Sequence, residues 1–230
     1  MNLLELRSVG FAVAGGNGRK KQVLDGVNLC VKRGEIVVVT GRNGSGKTIL
    51  SKIIMGIERP SCGTVMFNGE DVTEAGISGR ADKGIGLAFQ QPVRFKGLSI
   101  KNLLRISAGK RLSEKQASEY LVRVGLNAEE YLERELNNSL SGGEMKRVEI
   151  AVLLAREAEL MIFDEPEAGI DLWTLDNLTE VFRELRREQQ GAVVIISHNA
   201  DILRLADRVL LLHNRKLVAV NAEEMLGKRL

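Results

Sequence analysis

Three short, almost unbroken apolar runs punctuate the chain: Glu35–Thr40, Leu160–Phe163 and Ala192–Ile196. Runs of that length read as strands buried on both faces, the habit of parallel sheets covered by helices. Helical patterns separate them. Residues near 99–158 carry apolar positions at helical spacing, and Ser113-Glu114-Lys115-Gln116 forms a capping box ahead of Ala117, Tyr120, Leu121 and Val124 on one face. Leu172, Leu175, Leu178, Phe182 and Leu185 make a second stripe, closed by Gly191. Upstream, Leu4 and Leu6, then Val23, Val27, Leu29 and Val31, alternate with polar residues around Gly15-Gly16-Asn17-Gly18-Arg19-Lys20-Lys21. That pattern predicts antiparallel strands joined by an exposed, basic turn. Arg208–His213 and Lys216–Val220 predict a further hairpin around Asn214-Arg215. The pattern is α/β, so ligands are expected at the carboxyl ends of the parallel strands.

The chemistry clusters at those ends. Gly41-Arg42-Asn43-Gly44-Ser45-Gly46-Lys47-Thr48 fits G-x-x-x-x-G-K-[ST], directly after the first buried strand and before a helix over Ile49–Gly56. Glycines let backbone N–H groups wrap a triphosphate, and the helix N-terminus adds partial positive charge. Lys47 is the mobile cation for the β- and γ-phosphates; Thr48 offers a hydroxyl to Mg²⁺. The second buried strand runs into Asp164-Glu165, then turns at Pro166. Strand alternation predicts that the two acids point opposite ways. Asp164 would hold Mg²⁺, directly or through water, and Glu165 would polarise the attacking water. The third strand ends in Ser197-His198, with His198 placed to donate to a γ-phosphate or orient the water.

Leu140-Ser141-Gly142-Gly143-Glu144 precedes a helical stretch, Met145–Arg156. Ser141 and Glu144 read as a capping box, yet two glycines in a first turn cost about 1 kcal/mol each relative to alanine. They make sense where a helix end must approach an anion closely. Phosphate loop, LSGGE, Asp164-Glu165, Ala168-Gly169-Ile170-Asp171 and strand-terminal His198 together resemble the ABC-type ATPases in order and spacing. The resemblance covers essentially the whole chain. It implies an α/β P-loop fold with a mixed sheet core (residues 1–89 and 159–230), an antiparallel β edge and an inserted helical subdomain (90–158), all in one nucleotide-binding domain. It implies an ATP hydrolase using ATP and Mg²⁺. It further implies a head-to-tail, ATP-dependent homodimer in which Ser141, Gly142 and Gly143 of one subunit complete the phosphate site built by Gly41, Asn43–Gly46, Lys47 and Thr48 of the other. Asp171 would communicate across that interface. Gln90, in Phe89-Gln90-Gln91-Pro92, matches the family's metal- and water-sensing Gln, with Gln91 the alternative. The position where many relatives stack the base on an aromatic falls near Val13, two residues after Phe11, which leaves stacking and base specificity open.

Within the family, Ala81–Val93 and Gly142-Gly143-Glu144-Met145-Lys146-Arg147-Val148-Glu149-Ile150 look closer to the ATPase of the Suf iron–sulfur assembly system. Transporters more often carry Gln at the position of Glu144 and Ala at that of Glu149. That resemblance implies a soluble, β-helical SufB/SufD-like scaffold partner, docked near Gln90–Leu104. Pro166 and the short Pro60-Ser61-Cys62-Gly63-Thr64-Val65 segment pull the other way, toward the alternative: an ATP-binding subunit of an ABC transporter whose membrane domain is a separate chain. An intact Lys47, Glu165 and His198 argue against a regulator that binds without hydrolysing.

Composition narrows the setting. The 230 residues carry 33 Lys plus Arg against 30 Asp plus Glu, a net charge of +3 that gives no footing for nucleic acid as a partner. At 44% hydrophobic and 27% charged, the chain is neither disordered nor fibrous. Aromatics are only 4%, so aliphatic side chains must fill the core. No apolar run reaches membrane-span length, and the N-terminus lacks a signal-peptide layout. Cys30 and Cys62, with no CxxC pair, read as small core residues of a reduced, cytoplasmic protein without direct membrane insertion.

Overall fold

The structure, a computed structural model, describes residues 2–14, 20–90, 97–137, 139–170, 172–188 and 191–227. The chain opens with two long strands, β1 (Asn2–Ala14) and β2 (Lys20–Lys32), followed by β3 (Ile36–Thr40) and helix α1 (Lys47–Met55). Next come β4 (Cys62–Phe67), the short β5 (Glu70–Asp71), α2 (Ile77–Asp82) and β6 (Ile85–Ala88). A helical stretch follows: α3 (Ile100–Ala108), α4 (Glu114–Arg123), α5 (Ala128–Tyr131) and α6 (Gly142–Ala155). The chain then returns to strand as β7 (Leu160–Asp164), α7 (Leu172–Glu188), β8 (Ala192–Ile196) and α8 (Ala200–Leu205). It closes with β9 (Arg208–His213), β10 (Lys216–Val220) and α9 (Ala222–Gly227).

Two sheets result. β2-β1-β4-β5 is antiparallel, with the predicted β1–β2 pairing, and β10-β9-β3-β8-β7-β6 is the main sheet. In the main sheet β9, β3, β8, β7 and β6 run parallel, while β10 returns antiparallel as the predicted hairpin. β6 and β7 are hydrogen-bonded neighbours although α3–α6 lie between them in the chain. The helical stretch is thus an excursion from one edge of the sheet.

Every residue of β3, β7 and β8 is buried, and alternation divides them between two cores. Ile36 and Val38, Met161 and Phe163, Val193 and Ile195 face one core with Leu104, Leu121, Val148 and Phe182. Val37 and Val39, Leu160 and Ile162, Val194 and Ile196 face the other, with α1 and the antiparallel sheet. The capping boxes at Ser113/Gln116 and Ser141/Glu144 both form. Leu175, Leu178 and Phe182 of the α7 stripe are buried, and Phe182 meets Phe163 edge to face at 5.0 Å.

Two features differ from or add to the sequence reading. Cys30 and Cys62 are free but exposed rather than in the core. In β2, Leu29 and Val31 take the inward positions, so alternation turns Cys30 outward. Among the described residues the largest fully buried side chain is Arg80 of α2. Its guanidinium donates to the carbonyls of Ile53 (2.5 Å), Ile54 (2.8 Å), Ala75 (2.9 Å) and Thr73 (3.1 Å). A cation on the last carbonyls of α1 suits the negative end of the helix dipole, so it fixes the helix that begins at the phosphate loop.

Candidate functional site

β3 delivers the chain at Gly41 and α1 begins at Lys47. The N-cap of α1 is Gly46 (φ 107°), which supplies no side-chain cap for the first-turn N–H groups. A side chain there would be strained twice over, since its Cβ would stand 2.9 Å from Val23 Cγ1. Lys47 is 4% exposed; its ammonium donates to the carbonyls of Gly41 at 2.8 Å and Arg42 at 3.3 Å. Among the described residues, the buried Ser45 hydroxyl has no partner. A cleft of about 400 Å³ opens over this loop, lined by Asn43, Gly44, Lys47, Thr48, Gln90 and Glu165, with Val23 at its edge.

The two acids occupy this edge in a way simple alternation does not predict. Asp164 falls on the α1 side of the sheet, where it accepts the Ser51 hydroxyl at 3.1 Å and the Thr48 hydroxyl at 3.4 Å. Burial pushes its carboxyl above the usual range, against those two hydrogen bonds. Glu165 should face the opposite layer. Instead it takes a left-handed backbone (φ 47°), unusual for a residue with a side chain. Its carboxylate accepts Gln90 Nε2 at 2.6 Å and lies 3.9 Å from the Lys47 ammonium. Backbone strain at one residue brings both carboxylates to the same loop.

The sequence-chosen residues therefore divide. Gly41, Asn43, Gly44, Ser45, Gly46, Lys47, Thr48, Gln90, Asp164 and Glu165 converge. His198 lies just past β8 on the same sheet edge, exposed, but is not among the residues lining the cleft. Ser141, Gly142 and Gly143 open α6 and do not line it either. A Cβ on Gly142 would meet nothing within 4 Å among the described residues, so no contact with them explains that glycine. Asp171 and Gln91 lie outside the described residues. Phe11 is buried in the second core and unavailable to stack a base, whereas Val13 is exposed.

Glu144 closes the capping box that opens α6. The Tyr131 hydroxyl and the Ser141 N–H donate to it, the Ser141 side chain lies beside it, and together they pull its carboxyl down to about 2. It is a charged cap, fixing the angle at which α6 begins. Sequence reasoning gave no role to Ser51, Lys146 or Glu149. Ser51 was within reach: it sits three residues after Thr48 on α1, hence on the same helix face.

Glu149 accepts the Phe89 N–H at 2.8 Å, and its other carboxylate oxygen is buried without a partner among the described residues. Burial pushes this carboxyl up to about 7, opposed by the Phe89 N–H and the Lys146 ammonium. An unfolded glutamate titrates near ~4.3. Between those values the folded chain keeps a proton the unfolded chain has lost, so stability falls as pH rises across the window and levels off above it. Glu149→Gln is expected to flatten that decline, leaving the variant more stable by on the order of 2 kcal/mol at about pH 8. Urea midpoints taken from about pH 5 to about pH 8 check this; parallel curves for parent and variant would contradict it.

A glycine-rich loop between a buried strand and a helix, a buried lysine, and two acids at the neighbouring strand end define a P-loop nucleoside triphosphatase. The family comparison is narrower. Residues 24–168 match the ABC transporter family. An ABC transporter ATP-binding protein of Methanocaldococcus jannaschii is 38% identical over 200 residues, covering 84% of this chain and 80% of the relative. The energy-coupling factor transporter ATP-binding protein EcfA2 of Clostridium tetani is 33% identical over 207 residues, covering 86% and 72%. Among solved structures, a dimeric ATP-binding cassette in a post-hydrolysis state with ADP and Pi superposes with a TM-score of 0.85 at 25% identity, covering 95% of this chain and 98% of that one. CbiO1 of Clostridium perfringens, part of the ABC transporter complex cbiONQ, gives 0.76 at 26% identity, covering 99% and 92%. The chain belongs to the ABC transporter ATP-binding family; it binds and hydrolyses ATP.

Proposed function

We propose that this chain is the ATP-binding subunit of an ABC transporter whose membrane-spanning domain is a separate chain. The relatives named above are ATP-binding proteins of transporters, and none points to the Suf system or to a SufB/SufD-like scaffold. Among the described residues no helix is long and apolar enough to cross a membrane, so on this reading the membrane is reached through a partner. The carrying observation is an apolar groove of about 310 Å³ beside Gln90, with Ile77, Leu87, Phe89 and Leu103 in its wall. Ile77 is half exposed, as a docking surface requires. Its occupant would be a short apolar helix of the membrane-domain chain, and occupancy would be felt at Phe89 and Gln90, next to Glu165.

In this reading two copies close around two ATP molecules, each lending Ser141–Gly143 to the other. The donor set suits Mg²⁺ held jointly with phosphate: oxygens from Thr48, Gln90 and Asp164, and no cluster of three His, Cys, Asp or Glu residues among those described. Bound there, the ion neutralises charge on the phosphate oxygens. Lys47 binds the phosphates, and Glu165, held by Gln90, takes the proton of the attacking water. His198 and Asp171 act from the edge of the site and across the interface. Affinity purification of the tagged chain from its native membranes, solubilised in detergent, tests the partner. A multi-span membrane protein should co-purify stoichiometrically; a soluble β-helical scaffold in its place would overturn the proposal and restore the Suf-type reading.

A further inference from the structure

Lys146 lies on α6, one turn beyond Ser141–Gly143, and no motif assigns it a task. It is 3% exposed. Its ammonium donates to the main-chain oxygens of Glu165 at 2.6 Å and of Gln90 at 3.1 Å. Those are the two residues whose side chains meet at 2.6 Å over the phosphate loop. Burying an ammonium is costly, and a packed apolar side chain of similar volume commonly serves stability as well. A lysine here therefore has work beyond packing.

The backbone of Glu165 supplies that work. A left-handed residue with a side chain persists only where its surroundings hold it. The Glu165 N–H is held by the Ile196 carbonyl at 2.9 Å, and its own carbonyl takes the Ala168 N–H at 3.0 Å together with the Lys146 ammonium. The first two contacts belong to the sheet edge and its turn; only the lysine reaches from the helical layer. Glu149, three residues on and hence on the same face of α6, takes the Phe89 N–H. One helix thus grips the main chain of the consecutive residues 89 and 90 and the peptide oxygen of 165.

We propose that Lys146 is a positioning residue for hydrolysis: it fastens the backbone of Gln90 and Glu165 to α6, so that the Glu165 carboxylate is aimed into the cleft only while the helix bearing Ser141–Gly143 is seated. Any shift of that helix end is then passed directly to the two residues that handle the water. The inference rests on the reading of Glu165 as the general base, and the test separates the two.

Steady-state Mg-ATP hydrolysis by the full chain is measured for Lys146→Met, Lys146→Gln, Glu165→Gln and the double variant, alongside ATP affinity and thermal midpoints. Lys146→Met should lower kcat by about 10²-fold, the scale of a misplacement near 1 Å, with ATP affinity within about threefold of the parent. Lys146→Gln, which keeps a donor, should recover part of that loss. On the Glu165→Gln background, Lys146→Met should add less than about threefold, because both act through one group. Wild-type kcat in Lys146→Met, losses that multiply in the double variant, or a kcat that falls only in step with affinity and thermal midpoint would each overturn the proposal. Should Lys146→Met fail to fold, Lys146→Gln decides alone: its kcat must drop more than its affinity. Full hydrolysis in Glu165→Gln would instead sink the base assignment and leave the lysine contacts as they are.

Discussion

Glu165→Gln is expected to lower Mg-ATP hydrolysis by about 10² to 10⁴-fold while leaving ATP bound as tightly as in the parent. The amide has nearly the same shape, so the contact now made with Gln90 Nε2 at 2.6 Å can be kept through the amide oxygen. What is lost is the capacity to take a proton from water. Lys47, whose ammonium stands 3.9 Å from the carboxylate, keeps its bonds to the loop carbonyls of Gly41 and Arg42. Phosphate binding by the loop is therefore untouched. Phosphate release and retention of radiolabelled ATP, measured on the same preparation, separate the two effects. A variant that loses affinity and turnover together would mean that Glu165 serves to hold the nucleotide rather than to activate water.

Gly142→Asp should be as damaging to hydrolysis, by about 10² to 10³-fold, the usual cost of losing one donor from an anion site, yet harmless to the isolated chain. A Cβ at Gly142 meets nothing within 4 Å among the described residues, so the new side chain starts into open space. An acid in the first turn of a helix also suits the dipole, which makes a fall in thermal midpoint the wrong outcome. Harm can arise only where a second molecule's triphosphate would approach that turn and meet a carboxylate. ATP affinity of the single chain, set by the loop from Gly41 to Thr48, should not change. Parent-like turnover in Gly142→Asp would remove the reason for placing Ser141–Gly143 at another copy's phosphates.

Much of this was legible in the sequence because each piece had a local cause. Buried strands announce themselves as apolar runs, and β3, β7 and β8 fall within a residue of the runs at Glu35–Thr40, Leu160–Phe163 and Ala192–Ile196. Capping boxes need only four residues, and both formed. The phosphate loop carries its own glycines. What escaped has a non-local cause. Alternation predicts that Glu165 points away from Asp164, and only the left-handed turn, held by β8, the turn at Ala168 and α6, reverses it. The ties that Lys146 and Glu149 make could not be read from the chain, because their partners, the peptide groups at 89, 90 and 165, lie 19 to 60 residues away. Cys30 was placed in the core from residue type alone, although its neighbours Leu29 and Val31 already claim the inward positions of β2. The Suf-type reading leaned on Ala81–Val93 and on Glu144 and Glu149 in Gly142–Ile150. The structure gives both glutamates a role within this chain, a helix cap and a tie to Phe89, that needs no particular partner.

Closure of two copies over shared nucleotide is the claim on which the mechanism turns, and light scattering of the Glu165→Gln chain, with and without ATP, measures it directly. The account predicts one-chain mass without nucleotide, two-chain mass with ATP, and return to one chain when Gly142→Asp is added. One-chain mass at saturating ATP, or a two-chain species indifferent to both nucleotide and Gly142→Asp, would contradict it.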